Sequence, residues 1–288
     1  MPVIKPTYQR THIEVIKQRV EGLRHHSPET DYLAIEDPME ITLRSGNNGS
    51  ATEQQLLVTM RTPGEDRELI HGLLFTEEII HSAQDIREIQ FERTKEQAAP
   101  VKAMVHLRTN LPGESARTNR WGSVNSSCGV CGKTSMEQLV IRQDVGNRDP
   151  VRINSSLIHE LPERMRRTQT TFHHTGGLHA SALFDASGTL LCASEDIGRH
   201  NALDKVIGKV LLNPELHSES TILCVSGRMS YEILQKAIMA RIPVIAGIGA
   251  PSSLAVAIAN DFNITLLGFV RDNAFNIYSA PERIRKTA

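Results

Sequence analysis

Apolar residues alternate or cluster in strand fashion over residues 32–43 and again over 55–61. The turn-rich Ser45-Gly46-Asn47-Asn48-Gly49-Ser50 between them predicts a β-hairpin. Over residues 65–80 the spacing becomes helical, with Leu69, Ile70, Leu73 and Leu74 on one face. Residues 86–91 and 101–107 read as further strands, so the first half predicts a small β-rich α+β domain over residues 31–145. Ahead of it, Ile13, Ile16, Val20 and Leu23 make a short amphipathic piece that Gly22 and His25-His26-Ser27-Pro28 end quickly. Residues 1–30 are therefore expected to form a loosely attached arm.

The second half is more regular. A helix is predicted over 155–165, followed by a hairpin of residues 180–184 and 189–193 around Asp185-Ala186-Ser187-Gly188. Ala202, Leu203, Val206, Ile207, Val210 and Leu211 form the stripe of an amphipathic helix. Strands at 221–225, 243–246 and 265–270 then alternate with helices at 231–240 and 254–259. That βαβαβ order predicts an α/β domain over residues 146–288 with parallel strands joined by right-handed crossovers.

Open α/β sheets bind ligands where the carboxyl ends of the strands meet the following loops. Three such loops are expected: Ser226-Gly227-Arg228, the segment from Gly247 through Gly249 to Ser253, and Arg271-Asp272-Asn273. Two lead into helix N-termini, whose free N–H groups and positive dipole end suit phosphate. Arg228 and Arg271 would add charge-assisted contacts, so a nucleotide or another phosphorylated ligand is expected. The glycine loop matches neither G-x-G-x-x-G nor a Walker A sequence. His179, Glu195, Asp196, Arg199 and His200 form a second polar group between the hairpin and its following helix, and the two histidines are expected to approach one another at one end of the sheet.

Lysine and arginine total 32 against 33 acids, a net charge of -1 among 288 residues. No global field is available to hold a polyanion, so nucleic acid is not an expected partner. Neither a signal-peptide pattern nor an apolar run of spanning length occurs, which predicts a soluble, cytoplasmic protein without membrane attachment. The long polar, glycine-rich stretch over residues 111–133 carries Cys128-Gly129-Val130-Cys131. A C-x-x-C pair is a redox couple, half of a zinc site, a disulfide clamp or a sulfur relay. Four cysteines in the whole chain are too sparse for a disulfide framework. Cys192 and Cys224 fall in predicted strands and leave a zinc site short of ligands, so no metal is expected. Basic Arg120 and Lys133 would help hold Cys128 as a thiolate.

With these residues in hand, the chain resembles the formate dehydrogenase accessory sulfurtransferase family, the FdhD type. The resemblance runs through Asp31-Tyr32-Leu33-Ala34-Ile35-Glu36-Asp37-Pro38-Met39-Glu40-Ile41, Val58-Thr59-Met60-Arg61-Thr62-Pro63-Gly64 and the Cys128 and Cys131 loop. It continues through residues 175–180, 195–205, 226–236, 247–253 and 268–271. It implies a cytidine-deaminase-like α/β/α C-terminal domain beside the smaller N-terminal one. It also implies that sulfur is taken from a cysteine desulfurase and passed to the bis-molybdopterin guanine dinucleotide cofactor required by formate dehydrogenase. By the same resemblance Cys128 carries the persulfide with Cys131 as its partner, and Gly268, Phe269, Val270, Arg271, Asp272 and Asn273 belong to the cofactor-binding region. A cofactor with two nucleotide ends suits a homodimer that holds one per subunit. Glu78 departs from the family, which commonly has glycine there. A chaperone that binds the molybdenum cofactor without chemistry is the alternative, and a thiol oxidoreductase a third reading.

Overall fold

The computed structural model describes residues 11–22, 24–46, 52–94, 99–108, 151–219 and 221–285. Cys128, Cys131, Arg120 and Lys133 lie outside the described residues. The N-terminal segment differs from the expected arm. β1 (His12–Lys17) pairs antiparallel with β4 (Glu29–Ala34), and a short ribbon of β2 (Val20–Glu21) and β3 (Arg24–His25) lies between them. Ile13, Ile16 and Val20 are thus extended, and Leu23 lies outside the described residues. Gly22 adopts φ 62, the left-handed turn that reverses the chain before β3 and that breaks any helix through this piece.

β5 (Asp37–Ser45) and β6 (Thr52–Arg61) form the expected hairpin. β5 also pairs in parallel with β8 (Lys102–Leu107), which pairs antiparallel with β7 (Ile86–Glu92), giving the order β6-β5-β8-β7. Helix α1 (Asp66–Thr76) covers this sheet with Leu69, Ile70 and Leu74, all fully buried. Each such burial contributes roughly 1.5–3 kcal/mol. Just past α1, Glu78 has φ 58, a left-handed conformation in which glycine carries no Cβ penalty.

The second sheet begins after β9 (Ile153–Asn154), α2 (Ser155–Arg166) and α3 (Thr170–Thr175). β10 (His179–Phe184) and β11 (Leu190–Asp196) form its hairpin, and α4 (Arg199–Leu212) and α5 (Pro214–Glu219) follow. Then β12 (Ile222–Val225), α6 (Tyr231–Met239), β13 (Val244–Gly247), α7 (Ser253–Asp261) and β14 (Thr265–Arg271) deliver the βαβαβ order. β12, β13 and β14 are parallel neighbours in the order β11-β10-β12-β13-β14-β15. The edge strand β15 (Ala274–Ser279) pairs antiparallel with β14, and β16 (Ile284–Arg285) pairs in parallel with β9. Arg271, Asp272 and Asn273, the expected loop after the third parallel strand, therefore turn the chain into a β-hairpin. Helices α4, α6 and α7 pack on one sheet face, and α2 packs on the other through Ile158, Leu161 and Met165.

The two sheets meet through α1 against α4. Gly72 packs on the carbonyl of Asp204, and Gly208 packs on the carbonyl of Glu68, so the helices cross with backbone nearly touching backbone. Beside the crossing, Lys236 of α6 donates to Asp204 Oδ1 at 2.8 Å, to Asp204 Oδ2 at 2.9 Å and to Thr76 Oγ1 at 2.9 Å. A buried ammonium is tolerable only with its donors satisfied in this way.

Candidate ligand site at the carboxyl ends of the parallel strands

The loops after β12 and β13 are stitched to each other. Met229 N–H donates to Ala250 O at 3.0 Å, Ser252 N–H donates to Met229 O at 2.9 Å, and Ile248 N–H donates to Val225 O at 3.1 Å. Phe269 at the end of β14 joins them by donating its N–H to Gly249 O at 3.1 Å. Ser226, Gly227, Gly249 and Phe269 are thus brought together, with Arg228 exposed on the rim. Gly249 has a steric reason to be glycine, because a Cβ there would lie 2.8 Å from Gly227 O and 3.1 Å from Arg228 N.

Other expected site residues do different work. Gly247 is buried at the end of β13, where a Cβ would meet Met229 Sδ at 2.6 Å. Gly268 is likewise closed in by Tyr278, Pro251 and Met229. These two glycines make room for protein packing rather than for an approaching ligand. Val270 is 1% exposed and packs into the core behind the sheet. Arg271, Asp272 and Asn273 are exposed in the hairpin turn, and Arg271 O contacts His159 Nδ1 at 2.9 Å. Phe269 is 40% exposed and sits at φ 55, where a bulky side chain costs on the order of 1–2 kcal/mol. Strain of this kind concentrates at ligand clamps and active sites.

Two helix N-termini point at this ground. Ser230 and Ser252 are the N-caps of α6 and α7, and Ser252 accepts from Ala255 N–H at 3.2 Å. On the β10 side the neighbours are His179 and Arg199. A Cβ on Gly227 would lie 3.4 Å from His179 Nδ1 and 3.5 Å from Arg199 Cδ, so both side chains border that glycine. His179 Nδ1 is also 3.4 Å from Ser226 Oγ, which accepts from Ala180 N–H at 2.9 Å. Burial holds the His179 imidazole below its ordinary value, and the Arg199 guanidinium pushes the same way. His200 Nε2 lies 4.0 Å from Glu232 Oε2 of α6.

The rest of the polar group is structural and reaches into the first half. Asp196 is fully buried and accepts from Lys205 at 2.7 Å, Gly198 N–H at 2.9 Å, Asn201 at 3.2 Å and Thr62 N–H at 3.2 Å. Lys205 spends its other donors on Thr62 O at 2.9 Å and Glu195 O at 3.1 Å. Asn201 also donates to Met60 O at 2.8 Å. Asp196 and Asn201 stand together in the polar run of the sequence, whereas Thr62 and Lys205, which complete the group, lie outside that run. The signal was there in Asp204-Lys205, two charges inside an otherwise apolar helical stripe. Glu195 accepts from Thr171 N–H at 3.0 Å and Phe172 N–H at 2.8 Å, while burial raises its carboxyl.

Among the described residues no group of three or more His, Cys, Asp and Glu is placed to hold a metal ion, and no helix is long and apolar enough to cross a membrane.

The fold recurs in a known protein. A crystal structure from Desulfotalea psychrophila, described as that of a formate dehydrogenase accessory protein, superposes with a TM-score of 0.69 over 96% of this chain and all of that one. At 23% identity the likeness is one of fold. The protein named "Sulfur carrier protein FdhD" of Picrophilus torridus is 42% identical over 255 residues, 88% of this chain and 92% of its own. Its namesake in Streptomyces coelicolor is 39% identical over 265 residues, 90% of each chain. Residues 34–285 match the model of the FdhD/NarQ family, a span that holds both sheets, the α1–α4 crossing and every loop of the candidate site, and the chain belongs to that family.

Proposed function

We propose that this protein is a sulfurtransferase that accepts sulfur as a persulfide from a cysteine desulfurase and passes it to bis-molybdopterin guanine dinucleotide for formate dehydrogenase. The observation that carries this reading is the match, over most of both chains, to relatives named as sulfur carriers. The C-x-x-C pair supplies the chemistry. Cys128 thiolate attacks the outer sulfur of the donor persulfide, a new S–S bond forms, and the donor thiolate leaves. Release of that outer sulfur at the sulfide level needs two electrons, which Cys131 supplies by closing a disulfide with Cys128. A reductant must then reopen the pair, so thiol-disulfide exchange with a cellular dithiol completes the cycle.

The molybdenum cofactor is the substrate. Its nucleotide ends are taken by the loops of Ser226, Gly227, Arg228 and Gly249, with Phe269 presented to a base and Arg271, Asp272 and Asn273 at the outer rim. Gly247, Gly268 and Val270 support these loops from beneath. A deaminase-like domain is used here as a binding platform, without zinc chemistry, in a cytoplasmic homodimer. After incubation with a desulfurase and cysteine, mass spectrometry is expected to show an adduct of about 32 Da on the peptide carrying Cys128. Unimpaired formate dehydrogenase activity with Cys128→Ala would sink the relay. If replacement of both cysteines also left cofactor delivery intact, the protein would be a binding chaperone instead.

A further inference from the structure

Arg199 occupies the first turn of α4, where a cation opposes the positive end of the helix dipole. No acidic residue stands in that turn, and the buried carboxylate three residues earlier, Asp196, is already held by Lys205. Arg199 makes no ion pair among the described residues, and its buried Nε has no hydrogen-bond partner there. A buried guanidinium N–H without an acceptor costs more than an ordinary hydrogen bond contributes. Such an arrangement is relieved by an anion. The place for one is fixed by Gly227, which His179 and Arg199 both border and which the loop of Gly249 closes from the other side.

We propose that Arg199, His179 and the backbone of Gly227 form a pyrophosphate-binding subsite that takes up a proton as it fills. The subsite rests on the nucleotide-binding reading above and assigns its phosphates to two side chains outside the βα loops together with the Gly227 backbone. Arg199 supplies the permanent charge and a planar set of donors that match phosphate oxygens. His179 supplies the conditional charge. The charged groups facing it are Arg199 from the start of α4, which disfavours the imidazolium, and Asp196 from the end of β11, which favours it. Asp196 is itself paired with Lys205 at 2.7 Å. Ser226 is the polar neighbour from the β12 loop.

The sign follows directly. Without ligand, burial and Arg199 hold His179 below its ordinary value, so it is neutral at pH 7. A pyrophosphate beside it brings opposite charge into contact and raises it. Protons are then taken up on binding in the interval between the two values, and affinity grows as pH falls through that interval.

GDP-mannose is a suitable probe, because its pyrophosphate is esterified at both ends and does not titrate near neutrality. Titration calorimetry at pH 7 in two buffers of different ionisation enthalpy gives the number of protons taken up. We expect a positive fraction of a proton and binding about five- to tenfold tighter at pH 6 than at pH 8. His179→Gln should abolish both effects while retaining binding. Arg199→Gln should weaken binding by at least about tenfold and flatten its salt dependence, with partial recovery in Arg199→Lys. Binding by the parent protein without proton uptake, or unchanged affinity in folded Arg199→Gln, overturns the subsite and leaves the nucleotide reading standing. Absence of any binding at millimolar probe overturns both. Were a variant to misfold by circular dichroism, the proton count of the parent protein would still decide.

Discussion

Replacing Gly72 by alanine tests the helix crossing that joins the two halves. In an exposed helix this change stabilises by about 1 kcal/mol, since alanine is the better helix former. Here the added Cβ would lie 2.9 Å from Asp204 Cα and closer still to the Asp204 carbonyl. Carbon atoms pack best at roughly 3.5–4.0 Å, and the obstacle is backbone, which has no rotamer to swing away. The helices must move apart by about 1 Å, which opens gaps along α1 and pulls on the Lys236, Asp204 and Thr76 cluster beside it. Overpacking of this sort costs about 1–3 kcal/mol and more where the backbone must shift. Offset by the propensity gain, the net loss is expected to be about 2 kcal/mol, or roughly 3–6 °C in Tm for a chain of this size. Thermal denaturation followed by circular dichroism measures it, with the exposed α7 position Ala257→Gly calibrating the propensity part in the same protein. Gly208→Ala should behave alike, and the double variant should fall short of the sum because one separation relieves both clashes. A Tm at or above that of the parent protein for Gly72→Ala would refute the close crossing.

Lys236→Met should cost about 3–5 kcal/mol by stranding the buried Asp204 carboxylate, whereas Lys236→Met with Asp204→Leu should recover much of that loss; additive denaturant midpoints would contradict the pairing. Burial pushes the Cys192 thiol up to about 11 and the Cys224 thiol up to about 12. In a Cys128→Ser, Cys131→Ser variant, native alkylation at pH 7.5 should therefore run at least about a hundredfold slower than for a free thiol, and stoichiometric labelling within minutes would count against it. Gly249→Ala should weaken GDP-mannose at least about tenfold by prising the Gly227 loop away, and retained affinity would separate that loop from the ligand.

Much of this fold is legible in the pattern of apolar residues, because partly exposed elements bury one face at their own period and the central strands β12 and β13 are short apolar runs buried on both faces. The β5–β6 hairpin and the alternation from β12 to β14 are cases of this kind. What escapes is set by contacts distant in sequence. Residues 12–17 and 29–34 have mixed burial and no clean alternation, so their pairing is visible only once both strands are in place. The strand that follows Arg271, Asp272 and Asn273 is not expected from sequence because β15 is largely exposed and lacks an apolar run. Glycine misleads in the opposite direction. Gly247 and Gly249 look alike in one loop, yet the first makes room for Met229 and the second for the backbone of a neighbouring loop. Glu78 stands at a position that needs a positive φ, and a residue other than glycine accepts it there.

The position of the candidate site ties its chemistry to the join between the halves. β11 ends at Asp196, and α4 begins three residues later at Arg199, so one short turn sets both the structural carboxylate and the guanidinium. That turn is held from the first half, since Thr62 N–H donates to Asp196 and Thr62 Oγ1 accepts from Ile197 N–H at 3.2 Å. Lys205 locks the same loop by donating to Thr62 O. Because Asp196 is occupied by these partners, it cannot turn to neutralise Arg199. The network therefore does two things at once: it fastens the two sheets together and it leaves a cation unanswered at the mouth of the βα loops. Loosening it, for example by Thr62→Ala, removes one of the ties that hold the Asp196 turn and lets that carboxylate approach Arg199, which would lower anion affinity without touching any residue that borders the anion.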